Sequence, residues 1–138
     1  MFRMTAQVEY AYVALVKLAE DRGKLSKLAD IAAVRGLSEK FMLQTLTELK
    51  RAGLVESRRG KNGGYFLAVD PEEITFADLL AATASRGGAG FDVVGRGSFL
   101  ARWWASVHSE IHQLGQNTSL ADAMIAERGS AEQPMYYI

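Results

Sequence analysis

The 138-residue chain contains no cysteine. That absence excludes disulfides, thiolate zinc sites, cysteine-ligated iron-sulfur clusters and thiol redox sensing by the protein's own side chains. Long apolar runs are missing too: no stretch approaches eighteen apolar residues. The opening MFRMTAQVEYAYVALVKLAE lacks a basic region followed by an uninterrupted apolar core and a cleavage site. A cytoplasmic protein with no membrane association is expected. Excess charge of one sign is also absent. The formal net charge is zero, with 49% hydrophobic and 23% charged residues, so neither disorder nor wholesale polyanion binding is indicated. A chain of this length buries about two-thirds of its unfolded surface and folds without staples. There is no internal repeat, and no low-complexity segment beyond one glycine-rich stretch.

The neutral total conceals an asymmetry. Residues 1–70 hold twelve Lys/Arg against eight Asp/Glu, whereas residues 71–138 hold four against eight. Most of the first-half excess lies between Arg35 and Tyr65, where seven basic residues face three acidic ones. A local basic surface suits a polyanion, although a charge run also serves as an ordinary solvated face.

Hydrophobic periodicity predicts mainly α structure. Thr5 caps a helix whose apolar positions are Val8, Ala11, Tyr12, Leu15, Leu18 and Ala19. Ser26 is expected to open a short helix with Leu28, Ile31 and Ala32 on one face and Gly36 as its stop. Ser38 caps a third helix with Met42, Thr45, Leu46 and Leu49 inward and a polar opposite face. Two helices joined by a tight glycine-containing turn outline a helix-turn-helix. In LVESRRGKNGGYFLAV, two β-prone runs (54–57 and 65–69) flank Asn62-Gly63, a strong hairpin signal because both residues accept positive φ. A hairpin placed there is a wing.

Thr75 then caps a helix burying Phe76, Leu79, Leu80 and Thr83. The stretch SRGGAGFDVVGRGS follows, and from Ser98 the residues Leu100, Trp104, Val107, Ile111 and Leu114 are spaced 4, 3, 4, 3, a two-heptad seam that calls for another helix. Trp103 is expected to pack on the winged-helix body. Ser119 with Asp122 caps a further short helix ending near Gly129. The expected organisation is a DNA-binding unit over residues 1–84, a glycine-rich connector over 85–97, and a dimerisation helix, short helix and tail over 98–138. The fold class is mainly α with a small β-hairpin wing.

The outer face of the third helix carries Lys40, Leu43, Gln44 and Thr47, with Ser38 at its start and Lys50 and Arg51 at its end. Gln bonds an adenine edge in two places, Lys donates to guanine acceptors, and exposed amides at a helix start favour phosphate. Arg58, Arg59 and Lys61 crowd a hairpin tip with Gly60, Gly63 and Gly64, presenting long cations on a backbone narrow enough for a minor groove or phosphates. Helix and wing together point to double-stranded DNA. A winged helix that docks on a partner protein is the alternative, and the basic tip argues against it.

The remaining chemistry is thin. The glycine-rich stretch fits neither G-x-x-x-x-G-K-[ST] nor G-x-G-x-x-G, so a mobile connector is favoured over an anion site. His108 and His112 lie one helical turn apart, but they flank the seam, where interface or solvent roles are commoner than metal ligation. No nucleophile, base and orienting group come together, so the chain is not expected to be an enzyme and no cofactor is expected.

MTAQVEYAYVALVKLA, LADIAAVRGLSEKFMLQTLTELKRAGLVESRRGKNGGYFLA and PEEITFADLLAA resemble the bacterial Rrf-type family of winged-helix transcription regulators. The likeness is close from residue 3 to about 84 and resumes more loosely from the tryptophans to NTSLADAM. It implies a homodimer, packed through the long helix, that reads a palindromic operator; a repressor is expected, with activation left open. It also implies base contacts from Ser38, Lys40 and Gln44 and a minor-groove role for Arg59. Leu43 stands where relatives carry a glutamate that can accept from cytosine, so the operator sequence need not transfer. Gln7 and Glu9 replace basic residues common in the family's first helix. Cluster-binding relatives place three cysteines in the interval that here is SRGGAGFDVVGRGS, and Ala101 falls near a histidine ligand position. The signal is left open between a small-molecule effector, a partner protein and none.

Overall fold

A computed structural model describes residues 4–84 and 95–132. The connector reading for residues 85–94 and the tail from 133 lie outside the described residues. Among the described residues, six helices and one hairpin follow in the order α1 (Ala6–Glu20), α2 (Leu28–Ala33), α3 (Glu39–Arg51), β1 (Val55–Arg58), β2 (Gly64–Leu67), a 3₁₀ turn (Pro71–Glu73), α4 (Phe76–Thr83), α5 (Phe99–Gln116) and α6 (Leu120–Glu132). The class is mainly α with a β-hairpin wing.

The core forms where the apolar stripes of these helices meet. Ala11, Ala14, Leu15 and Leu18 from α1, Ile31 from α2, and Met42, Leu46 and Leu49 from α3 are buried together with Val55, Ile74, Leu79 and Leu120. Each fully buried aliphatic side chain contributes roughly 1.5–3 kcal/mol, so this cluster fixes α3 against α1. Local caps set the starts: Thr5 Oγ1 accepts from Val8 N, Ser38 Oγ from Phe41 N and Ser98 Oγ from Ala101 N. Thr75 with Asp78 and Ser119 with Asp122 form reciprocal capping boxes.

Leu80, expected on the buried face of α4, is 36% exposed, and three further local expectations are corrected. Ser26 does not cap α2: it is buried, its backbone pairs with Tyr65 (N···O 3.0 and 2.8 Å), and its hydroxyl donates to Asp21 Oδ2 at 2.9 Å, while Lys27 occupies the cap position. The tertiary bridge to β2 outweighs the local capping preference, since it satisfies two backbone groups rather than one. The hairpin pairs Val55 with Leu67 through Arg58 with Gly64, but Asn62 and Gly63 do not adopt positive φ. Gly60 (φ 111°) does, Gly63 N donates to Gly60 O at 3.0 Å, and a Cβ on Gly63 would stand 2.1 Å from Arg58 O. Glycine at 63 is therefore a matter of close backbone approach. Finally, α6 runs through Gly129 to Glu132, because an isolated helical glycine costs only about 1 kcal/mol.

The C-terminal helices are tied to the DNA-binding unit. Phe76 N donates to Thr118 O (2.9 Å) and Leu120 N to Ile74 O (2.7 Å), closing an antiparallel bridge between the start of α4 and the joint between α5 and α6. Along α5, the buried positions are the small residues Ala101 and Gly115, and Gly115 lies so close to α4 that a Cβ would meet Ala77 N at 2.7 Å. Trp103, expected on the body, is instead 50% exposed, because the face turned toward α4 is built of small residues that admit a close helix crossing. On the far side, Tyr12 Oη donates to Glu127 Oε1 at 2.5 Å, linking α1 to α6. Burial and then this Glu127 contact push the Tyr12 phenol up to about 12, so it remains a neutral donor at neutral pH.

The glycines give a test with opposite signs. Gly115→Ala is expected to cost about 1–3 kcal/mol through the clash with Ala77, whereas Gly129→Ala, in open space within a helix, is expected to stabilise by about 0.5–1 kcal/mol. Urea denaturation reads both, and equal effects at the two positions would contradict the close crossing.

Candidate nucleic-acid interface

Because Met42, Thr45, Leu46 and Leu49 are buried, the opposite side of α3 must face outward. Lys40, Gln44, Thr47 and Arg51 are all exposed, at spacings of 4, 3 and 4 that align them along one stripe. Leu43 lies among them with 45% exposure. Its methyl groups suit a thymine methyl rather than a cytosine amine. The Ser38 hydroxyl accepts from Phe41 N (3.3 Å), which leaves its proton free to donate to a phosphate or base acceptor. Ser38 N itself donates to Tyr10 Oη at 3.2 Å, so the start of the stripe is pinned to α1. The Thr47 side chain is exposed, and its hydroxyl donates to Leu43 O at 2.8 Å.

The wing extends this surface. Arg58, Arg59 and Lys61 are exposed, and Lys50 Nζ donates to Ser57 Oγ at 2.6 Å, joining the end of α3 to β1. Sequence reasoning missed Lys27. It stands at the start of α2, and its Nζ donates to Lys61 O at 3.4 Å, adding a fourth cation beside the tip. Its only sequence signal is a positive charge 34 residues from the wing; the bridge from Ser26 to Tyr65 is what brings it there. At the root of the wing, Arg22 pairs with Asp70. Lys17 and Ser26 hydrogen-bond Asp21 and hold its carboxyl below the ordinary range.

The proposed dimer seam is divided. Leu100 and Leu114 are exposed and Trp104, Val107 and Ile111 are half-buried, while Phe99 and Trp103, absent from the predicted seam, add large exposed apolar surface. His108 and His112 are exposed on α5, with the His108 ring 5.3 Å from that of Trp104. Among the described residues no group of three or more His, Cys, Asp or Glu is gathered for a metal, and no helix is long and apolar enough to cross a membrane.

An outward polar helix, a hairpin with a cationic tip and a bridge between them define a winged helix-turn-helix DNA-binding protein. Residues 4–126 match the Rrf2 family model, described as an iron-dependent transcriptional regulator, and the chain belongs to that family. It is similar to Rv1287 of Mycobacterium tuberculosis, named as an HTH-type transcriptional regulator (34% identity; 87% of this chain, 80% of that protein). Among solved structures it is similar to T. potens IscR (30% identity, TM-score 0.74; 99% and 97% of the two chains). A second is CymR of B. subtilis, titled the global cysteine regulator (26% identity, TM-score 0.67; 89% and 96%). The protein is a DNA-binding transcription regulator and not an enzyme. Its donor set does not fit a cysteine-ligated iron-sulfur cluster, since no thiolate exists anywhere in the chain.

Arg59→Ala is expected to weaken DNA binding at fixed salt and to lower the slope of log affinity against log salt by about 1, without changing the oligomeric state. Gln44→Ala should reduce the specific-to-nonspecific ratio by about 1–3 kcal/mol. Fluorescence anisotropy on specific and random duplexes distinguishes them, and an equal loss on both duplexes for Gln44→Ala would contradict base reading.

Proposed function

We propose that the chain is a homodimeric repressor that binds a palindromic operator and works without an iron-sulfur cluster. The observation that carries the DNA-reading part is the continuous exposed surface from Lys40 along α3 to Arg51 and across to Arg58, Arg59 and Lys61, coupled by the Lys50–Ser57 contact. Ser38, Lys40, Gln44 and Thr47 enter the major groove, Arg51 meets phosphate, and the wing cations reach the flanking backbone or minor groove.

Support for the homodimer is the apolar face of α5, where Phe99, Leu100, Trp103 and Leu114 are exposed in a row too large for a solvated helix. Two copies related by a two-fold axis present two recognition helices to two half-sites, which is the geometric reason for a palindrome. Occupation of such a site near a promoter excludes competing proteins, and repression follows from that exclusion. The residues in the 1–84 segment read DNA, and those from 98 onward hold the dimer.

A mobility-shift assay on the DNA upstream of the protein's own gene, combined with sedimentation, tests this reading. A dimer that shifts this DNA in a salt-sensitive manner is expected. Leu100→Glu with Trp103→Glu should give a folded monomer with at least tenfold weaker specific binding. A monomeric wild type that binds the same DNA equally well would contradict the dimer.

A further inference from the structure

The two faces of the hairpin have different neighbours. Along β1, Val55 and Ser57 lie on the face turned to the core and α3: Val55 is buried, and Ser57 Oγ accepts from Lys50 Nζ. Glu56 and Arg58 alternate to the opposite face, Glu56 across from Phe66 and Arg58 across from Gly64. Beside this outer face, between the hairpin and the turn after α1, lies a concavity of about 300 Å³. Lys24, Arg58, Phe66 and Val69 line it, together with Arg22 and Asp70.

Two of its cations are left over. Arg22 pairs with Asp70, and Asp21, at the start of the same turn, is held by Lys17 and Ser26. Lys24 and Arg58 are exposed, and neither forms an ion pair with another described residue. Glu56 shares the outer face but lies further from the tip and does not line the concavity. Phe66 and Val69 are half-buried and add apolar wall beside the cations. A DNA strand presents the same mixture, anionic phosphate on an apolar sugar.

The direction of this face follows from α3. With α3 in the major groove and the wing tip at the adjacent minor groove, the inner face of the hairpin meets the backbone strand that separates the two grooves. The outer face then meets the strand on the far side of the minor groove, which is only about 6 Å wide.

Resting on the DNA-reading function above, we propose that Lys24 and Arg58 form a second phosphate site that grips this far strand, so that the wing straddles the minor groove. Arg58 then has a different task from its neighbour Arg59: it binds phosphate beyond the groove, while Arg59 enters the groove at the tip. Lys24, contributed by the turn after α1, makes the end of the first helix part of the DNA-binding surface.

The test titrates the full chain, by anisotropy, with a duplex selected from genomic DNA in which phosphates at matching positions of the two half-sites are replaced in turn by uncharged methylphosphonates. Base substitutions whose cost disappears in Gln44→Ala mark the base pairs read by α3. Neutralising one or two phosphates more than about 5 base pairs from them, half a helical turn, should weaken the wild type at least about threefold. Lys24→Ala with Arg58→Ala, both exposed, should weaken binding to the unmodified duplex by a similar factor and lower the salt slope by about 2 per half-site. This double variant should show no further loss on those methylphosphonates, whereas Arg59→Ala should remain sensitive to them. Lys24→Arg with Arg58→Lys, which keeps both charges, should also remain sensitive.

Equal methylphosphonate losses in the alanine double variant and the wild type would overturn the proposal. So would a double variant that binds as tightly as the wild type, or a coupled phosphate beside the base pairs that Gln44 reads. If the wild type binds no DNA at all, the DNA-reading function itself fails; if it binds and no phosphate couples to Lys24 and Arg58, the second phosphate site alone fails.

Discussion

The two-sidedness of α3 is the constraint on which the rest of the molecule depends. Met42, Leu46 and Leu49 have no exposed surface, and they press against Ala11, Leu15 and Leu18 of α1. Rotating the helix to bury its polar stripe would desolvate Lys40, Gln44 and Arg51 while exposing three aliphatic side chains, and both changes are unfavourable by several kcal/mol. Burial thus determines which residues can meet a ligand as large as DNA. The wing inherits its position from the same core, since Val55 is buried in it, Leu67 packs against it and the hairpin tip projects beyond it.

A second layer of order comes from backbone pairings outside the helices and the hairpin. The bridge between Ser26 and Tyr65 draws the start of α2 to the wing, and the bridge between Thr75 and Ser119 draws the C-terminal helices to α4. With Leu120 in the core and Gly115 against Ala77, the segment after the glycine-rich stretch is part of the packed body and not an appendage. This gives a physical route by which events at α5 or α6 reach α3: through α1, whose Tyr10 and Tyr12 hydrogen-bond to the two sides.

Much of this was legible in the sequence where short-range chemistry decides. The inward face of α3, the caps at Thr5, Ser38 and Thr75 and the capping box at Ser119 are local, and they stand as the periodicity and spacing indicate. The hairpin was legible, but its turn was not. Asn62-Gly63 signals a two-residue turn, whereas the paired register ends at Arg58 and Gly64 and leaves five residues between. The Ser26 bridge, the close crossing at Gly115 and the placement of Lys27 depend on partners tens of residues away, which no local pattern encodes. Glycine in a helix reads as a breaker, and at position 115 its role is to let two backbones touch. The candidate DNA-contacting residues were legible because exposure on α3 follows from the hydrophobic face, whereas the seam on α5 was drawn without Phe99 and Trp103 because its inner face uses small residues rather than large ones.

The central claim is that one surface, made from the outer face of α3 and the wing tip, meets DNA. Backbone amide shifts during titration with a duplex selected from genomic DNA test it directly. The account predicts that perturbations concentrate on residues 38–51 and 57–63 and weaken together as salt is raised. Perturbations confined to α5 and α6, with α3 and the wing unchanged, would contradict it.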